Sequence, residues 1–393
     1  MEEKMEYVIN EVVDSLRSGW ITTGPKVKAL EEEIKQFSGA KEVLCVNSWT
    51  SAAIMMLRWF GVKEGDEVIV PAYTYSATAL AGAKPVMVDT SEDFNISLDA
   101  IKKAITPRTK AIMPVDIAGF PCDYDEIMDL VKSSEIRPLF EAESENQEKL
   151  GRILVLNDAA HSLGAWYKKG MRTGTETDIA IFSLHAVKNV TTAEGGAICI
   201  NLPAPFDNAK LYGELRQMAL NCQTKDAFSK SKAGGWRYDI TGLGMKINMA
   251  DVNAAIGLAQ IRIYEDLLKE RKRVFDTYGE AFKQYDWAIL PPSKQGEKET
   301  SYHLYALRIK GFTEAQRDAM IDEIAKSEVA VNVHFIPMPM LTLFKNLGYK
   351  IEDYPQAYNN YKGEISLPIY PQLTDEQVKF VIDTVVNAYN KVK

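Results

Sequence analysis

The stretch Ser183-Leu184-His185-Ala186-Val187-Lys188, followed by Glu194-Gly195-Gly196, puts a hydroxyl, an imidazole and an amine on one short turn. The apolar runs Ile179 to Ser183 and Ala197 to Ile200 flank it, so the turn joins two strands. A lysine at a strand end of an open α/β sheet lies in the crevice where such sheets bind ligands. There it can form a Schiff base with a carbonyl or with pyridoxal phosphate (PLP). Ser183 could donate its hydroxyl to a phosphate. The plain alternative is a solvated loop lysine, the usual fate of a lone Lys.

A second run, Leu154 to Leu156, leads into Asn157-Asp158-Ala159-Ala160-His161-Ser162. A carboxylate ending a buried strand is costly unless paired. A protonated pyridine nitrogen would pair with Asp158, and the pairing would keep that ring an electron sink. Asp158 could equally be a helix N-cap. A third piece, Val46-Asn47-Ser48-Trp49-Thr50-Ser51-Ala52, runs strand, polar turn, helix start. Backbone N–H groups at a helix N-terminus bind phosphate. Simple capping by Ser48 or Thr50 is the alternative. In the fourth, Pro71-Ala72-Tyr73-Thr74-Tyr75-Ser76, an aromatic follows a strand and could stack on a flat ring or pack in the core.

The elements around these pieces alternate. Strand-like runs fall at 42–46, 67–70, 85–89, 111–115, 153–156 and 179–183, with helix-compatible stretches at 51–60, from Ser97 onward, and near 123–131. This rhythm predicts an α/β domain with a largely parallel sheet. Residues 132–152 are polar and acidic and read as a surface insertion. Residues 223–236 read as a loop. One long helix is expected from about Ala250 to about Phe282, linking to a small α+β unit. That unit has strands at 301–309 and 329–335, a helix at 314–327 and a last helix from Thr374. The expected division is 1–255 for the large domain and 256–393 for the linking helix and small domain.

The chain has 393 residues and a net charge of −8, with 46% hydrophobic and 25% charged residues. That length allows two domains. The acidic balance argues against a nucleic-acid surface. Cys45, Cys122, Cys199 and Cys222 match no zinc or CxxC spacing, and no metal is expected; Cys45 and Cys199 read as reduced core residues. Met1-Glu2-Glu3-Lys4 has no signal-peptide h-region, and no run approaches the roughly 18 apolar residues of a membrane span. A cytoplasmic location is expected.

The pieces together, in this order, resemble the DegT/DnrJ/EryC1/StrS family of PLP-dependent sugar aminotransferases. The resemblance covers nearly the whole chain. It opens at Trp20-Ile21-Thr22-Thr23-Gly24-Pro25 and passes through Pro114-Val115-Asp116-Ile117-Ala118-Gly119-Phe120-Pro121. It continues at Gly244-Met245-Lys246-Ile247-Asn248-Met249-Ala250-Asp251 and ends at Ile365-Ser366-Leu367-Pro368. It implies the fold type I architecture, with a mostly parallel sheet in a large domain and a small α+β C-terminal domain. By resemblance, Lys188 is the Schiff-base lysine and proton shuttle and Asp158 pairs with the pyridine nitrogen. Tyr75 stacks on the ring, and Thr50, Ser51 and Ser183 hold the phosphate. His161 stands near the ring oxygen, where Gln is common. Lys246 reaches the phosphate from the neighbouring subunit, which implies a homodimer with shared active sites. The implied reaction moves an amino group from L-glutamate to a nucleotide-linked 4-keto-6-deoxy sugar.

The sequence departs from the family at Trp49, where a small residue is usual, and at Ala193, where Gly is common. Pro337-Met338-Pro339-Met340, with His334 upstream, replaces a P-L-H stretch. Three competing readings remain. Sugar dehydratases using pyridoxamine phosphate carry His at the lysine position, against Lys188. A non-catalytic regulatory protein on this fold would not need the proton shuttle. A nicotinamide dehydrogenase would need a GxGxxG after the first strand, and there is none.

Overall fold

The computed structural model describes residues 2–74, 77–225 and 236–393. Its strands, in chain order, begin with β1 (Glu42–Val46), β2 (Glu67–Pro71), β3 (Lys84–Val88), β4 (Thr109–Ile112) and β5 (Leu154–Asp158). Short β6 (Trp166–Lys168) and β7 (Met171–Arg172) follow, then β8 (Ile179–Ser183) and β9 (Gly196–Ile200). The large sheet has seven strands in the order β1-β9-β8-β5-β4-β2-β3. Strand β9 is antiparallel to both its neighbours, and the other pairings are parallel. The carboxyl ends of β1, β2, β4, β5 and β8 therefore share one edge with the amino end of β9.

Side chains alternate across this sheet with period two, as a sheet covered on both faces requires. Val43 and Cys45 of β1, Ala180 and Phe182 of β8, and Ala197 and Cys199 of β9 enter one core cluster. Their neighbours Leu44, Val46, Ile179, Ile181, Ile198 and Ile200 enter the other. All four cysteines are buried and free.

The C-terminal part contains β10 (Ala288–Ile289), β11 (Lys294–Gln295), β12 (Lys298–Glu299), β13 (Tyr305–Ile309) and β14 (Glu364–Leu367). Strands β10, β13 and β14 form a three-stranded antiparallel sheet. The helices Glu314–Ala325 and Asp375–Val392 pack together beside it, and each starts with a Thr capping box. Among the described residues, no helix is long and apolar enough to cross a membrane.

Two expectations need correction, and one needs detail. Residues 132–152 lie largely at the surface, as expected, but they hold a 3-10 turn (Arg137–Leu139) and a helix (Glu145–Leu150). Gln147 is fully buried, and Ser144 Oγ and Asn146 Nδ2 donate to Phe60 O and Trp59 O at 2.9 and 2.8 Å, which ties the stretch to the body of the protein. The long helix is two, Asp251–Arg262 and Tyr264–Phe282, broken where Ile263 leaves the helical region at φ −108°, ψ 6°. Residues 329–335 form no strand and make one bridge, Asn332 to Ser366, because their apolar side chains line a cavity.

Two family-like motifs lock together. Asp251 Oδ1 accepts from Gly24 N (2.8 Å) and Val27 N (3.0 Å), and Oδ2 from Lys26 N (3.1 Å). It thus caps the helix Pro25–Ser38 from another helix. A Cβ on Gly24 would lie 2.0 Å from Trp20 Nε1 and 2.8 Å from Asp251 Oδ2, so this approach needs glycine.

Strands β5 and β8 are fixed at their amino ends by a buried ion pair. Arg152 Nη1 and Nη2 donate to the two carboxylate oxygens of Asp178 at 2.7 and 2.6 Å. Asp178 also accepts from Val155 N at 3.0 Å. Removing one partner strands a buried charge, so Arg152→Ala should lose about 3–5 kcal/mol of stability. A urea-unfolding midpoint equal to wild type would show that the pair does not anchor these strands.

Candidate functional site

A cavity of about 1010 Å³ opens at the shared strand edge, against residues 330–336 and 366–369. Five of the residues named from sequence line it together: Thr50, Asp158, His161, Ser183 and Lys188. They come from three stretches that end at this edge: Thr50 after β1, Asp158 and His161 at the end of β5, and Ser183 and Lys188 at the end of β8. Ser51 does not line it. Its backbone N donates to Ser48 Oγ at 3.1 Å, and it is Ser48, the N-cap, that faces the cavity. Lys246 is exposed, lies outside this cavity, and donates to Asn248 Oδ1 at 2.6 Å. Tyr75 lies outside the described residues; Tyr73, which precedes it, lines the cavity.

The lysine turn is held from several sides. Lys188 N donates to His185 O at 2.9 Å, and Leu184 N to Gly195 O at 2.9 Å. Asn253 Nδ2 donates to Thr192 O (2.8 Å), and Gln260 Oε1 accepts from Thr191 N (2.9 Å), pinning the turn to the helix Asp251–Arg262. Ala193 sits at φ 64°, the left-handed region, which explains why Gly is common there.

Burial sets the electrostatics. It pushes the Asp158 carboxyl up to about 7, opposed by a hydrogen bond from Ala160 N (3.1 Å) and by the Lys188 charge. It brings Lys188 down to about 8, opposed by Asp158. Each group is thus poised near neutrality, where a proton can be held or given up. The bond from Ala160 N also means that Asp158 caps its turn as well as facing the cavity. Burial and the Lys188 charge hold His161 well below its ordinary value, so its ring is neutral.

Opposite the lysine turn stands the amino end of the helix Trp49–Trp59. Its first two N–H groups have no intrahelical partner. A Cβ on Gly196 would lie 2.7 Å from Trp49 N and from Ser48 C, so the glycine lets β9 approach this helix end. The buried polar atoms Trp49 Nε1, Thr74 Oγ1 and His161 Nδ1, all on cavity residues, have no partner among the described residues. A helix amino end and hydroxyls for a phosphate, a buried carboxylate for a ring nitrogen, an amine for a carbonyl and orphaned donors on the wall fit PLP.

Sequence reasoning did not single out Arg271, His303 or Asn189. Arg271 and His303 are buried and line the cavity, while Asn189 bonds to His303 behind it. Asn189 follows Lys188 directly, but Arg271 and His303 lie far along the chain, and only the tertiary fold brings them to the cavity.

This fold and this edge define a PLP-dependent enzyme of fold type I. The comparisons with known proteins agree. The family model for the DegT/DnrJ/EryC1/StrS aminotransferase family matches residues 2–386, and the chain belongs to that family. Spr1654 of Streptococcus pneumoniae, assigned as a sugar aminotransferase and solved in its pyridoxamine-phosphate form, shares 42% identity. It superposes with a TM-score of 0.94 over 99% of this chain and 98% of that one. Its PLP form gives 41% identity and a TM-score of 0.93, covering 99% and 97%. The spore coat polysaccharide biosynthesis protein SpsC of Bacillus subtilis is 35% identical, covering 96% of this chain and 93% of its own.

Because burial brings Lys188 to about 8, PLP capture by the apoprotein should speed up through that pH and not through the 10.5 of a free lysine. The absorbance band of the captured cofactor, followed against pH, tests this; a midpoint near the free-lysine value would contradict the burial of Lys188.

Proposed function

We propose that this aminotransferase moves an amino group from L-glutamate to a nucleotide-linked 4-keto-6-deoxy sugar, in active sites shared by two subunits. The observation that carries the catalytic reading is the meeting of Asp158, buried, and Lys188, half-buried, in one cavity at the carboxyl edge of the sheet.

PLP, when bound, supplies a protonated ring that delocalises the electron pair left on the donor carbon. Asp158 holds the proton on the ring nitrogen, and that cation in turn favours its ionised form. With PLP in place, the Lys188 amine would take the proton from the donor α-carbon and return it two atoms along, on the far side of the nitrogen. Its pKa, brought down to about 8, leaves about half of the amine unprotonated at pH 8, far more than an ordinary lysine would have. In the second half-reaction the same amine works in reverse. Thr50, Ser183 and the unpartnered N–H groups of the helix amino end would hold the phosphate, with Ser51 bracing Ser48 through the bond from its N–H. His161, neutral, would hydrogen-bond the ring oxygen, and by the family resemblance Tyr75 would stack on the ring.

The dimer reading rests on Lys246 and its surroundings. Lys246 is exposed and does not line its own cavity, and in the stretch before it Trp236, Ile240 and Leu243 expose 71%, 58% and 100% of their surface. An exposed apolar patch of this kind fits a subunit contact. Four free, buried cysteines fit the reducing, cytoplasmic compartment that we assign to the chain.

Wild-type holoenzyme should lose its cofactor band on adding L-glutamate and regain it with a nucleotide keto-sugar. Lys188→Ala should abolish both changes, and Asp158→Asn should slow them on the order of a hundredfold. A band unchanged by glutamate would rule out the proposed donor. Mixing inactive Lys188→Ala and Lys246→Ala chains gives hybrid dimers with one intact site, so activity should return to about a quarter of wild type. If sites are not shared, no mixture recovers.

A further inference from the structure

The cavity is lined by all four histidines of the chain, His161, His185, His303 and His334. For one of them, hydrogen bonds decide which ring nitrogen carries the hydrogen. Asn189, next to Lys188, has Nδ2 at 2.9 Å from Ser301 O and 3.0 Å from Tyr264 Oη. A carbonyl oxygen only accepts, so the amide must turn Nδ2 to that side. Tyr264 Oη agrees, because it spends its own hydrogen on Leu163 O at 2.6 Å. Asn189 Oδ1 therefore faces His303 Nδ1, at 2.9 Å. An amide oxygen only accepts, so Nδ1 carries the hydrogen.

The ring is also neutral. Burial, with the neighbouring His161 and the charges of Lys188 and Arg271, holds it well below its ordinary value. A neutral imidazole with Nδ1–H has a bare lone pair on Nε2. His303 is 6% exposed, lies with its centroid 4.5 Å from that of His161, and lines the cavity. Toward a bound molecule its Nε2 can accept a hydrogen bond but not donate one.

Two substrates use this cavity in turn. The amino donor brings carboxylates, which only accept and which a lone pair repels. A sugar brings hydroxyl groups, which donate. We propose that His303, with its tautomer fixed by Asn189, accepts a hydrogen bond from a hydroxyl of the keto-sugar and so selects the second substrate without helping to bind the first. This rests on the reading of the acceptor as a sugar given above. Asn189 is the positioning residue: it sits beside Lys188 in the chain and ties the lysine turn to Ser301 and His303.

The first test does not depend on activity. A nitrogen-15 imidazole spectrum of the holoenzyme, assigned with His303→Phe, should show His303 as the neutral Nδ1–H form from about pH 6 to about pH 8. An Nε2–H form or an imidazolium in that range overturns the proposal. The second test separates the half-reactions by following the cofactor band. In His303→Phe, bleaching by L-glutamate should stay within about twofold of wild type, while the apparent KM for the probe, dTDP-4-keto-6-deoxyglucose or its UDP-linked N-acetylamino counterpart, rises about tenfold, the worth of one neutral hydrogen bond. His303→Gln, which offers an amide oxygen, should recover part of that loss and serves if the Phe variant does not fold. An equal loss in both half-reactions, or no loss with the sugar, overturns the proposal. A wild-type protein that glutamate does not bleach defeats the proposed donor instead, a result seen before any variant is made.

Discussion

A carboxylate and an amine face one cavity where the strands end, each within reach of the other's charge, and the surrounding structure is arranged to hold them there. Alone, either charge would be expelled or neutralised by a low-dielectric site. Together, Asp158 at about 7 and Lys188 at about 8 sit close enough in pKa for a proton to be held by either. The groups that keep them in place lie farther off. The Arg152–Asp178 pair fixes the other ends of β5 and β8, and Asn253 and Gln260 hold the lysine turn from a neighbouring helix. Gly196 lets the helix amino end come up to β9 without a Cβ between them.

Much of this was legible in the sequence. Buried strands announce themselves as short apolar runs, and β1, β5 and β8 fall where those runs lie. Asp158 and Ser183 were readable because each closes such a run, and Lys188 because it lies in the short turn after Ser183, at the edge where parallel strands stop. The helix starting at Leu98 was marked by its Ser97 cap, which accepts from Ala100 N.

What was not legible depends on contacts between distant parts of the chain. Nothing local marks Ile263 as a break: it is neither Gly nor Pro, and its neighbours keep helical composition. The acidic stretch before β5 looks solvated because its binding partners, Trp59 O and Phe60 O, are backbone atoms about eighty residues earlier. Val331, Val333 and Phe335 have strand-like character, yet their side chains form a cavity wall, and the segment's backbone partners include Glu364 Oε2, which accepts from His334 N at 2.9 Å. His303 reads as part of an apolar run until Asn189 is found against it.

Strand β1 has one neighbour in the large sheet, β9, and its last residue Val46 pairs with Gly196, about 150 residues later. The cap on the helix Pro25–Ser38 comes later still, from Asp251. On a ribosome, the first part of this chain therefore waits for its partners. At ordinary elongation speeds the gap between Val46 and Gly196 lasts on the order of ten seconds. During that interval the backbone groups of β1 lack their one sheet partner, and the cavity-facing helix end has no β9 beside it. The wall that carries Ser48 and Thr50 thus closes only after Lys188 has been made, so the cofactor site is completed late in synthesis rather than grown outward from the amino end.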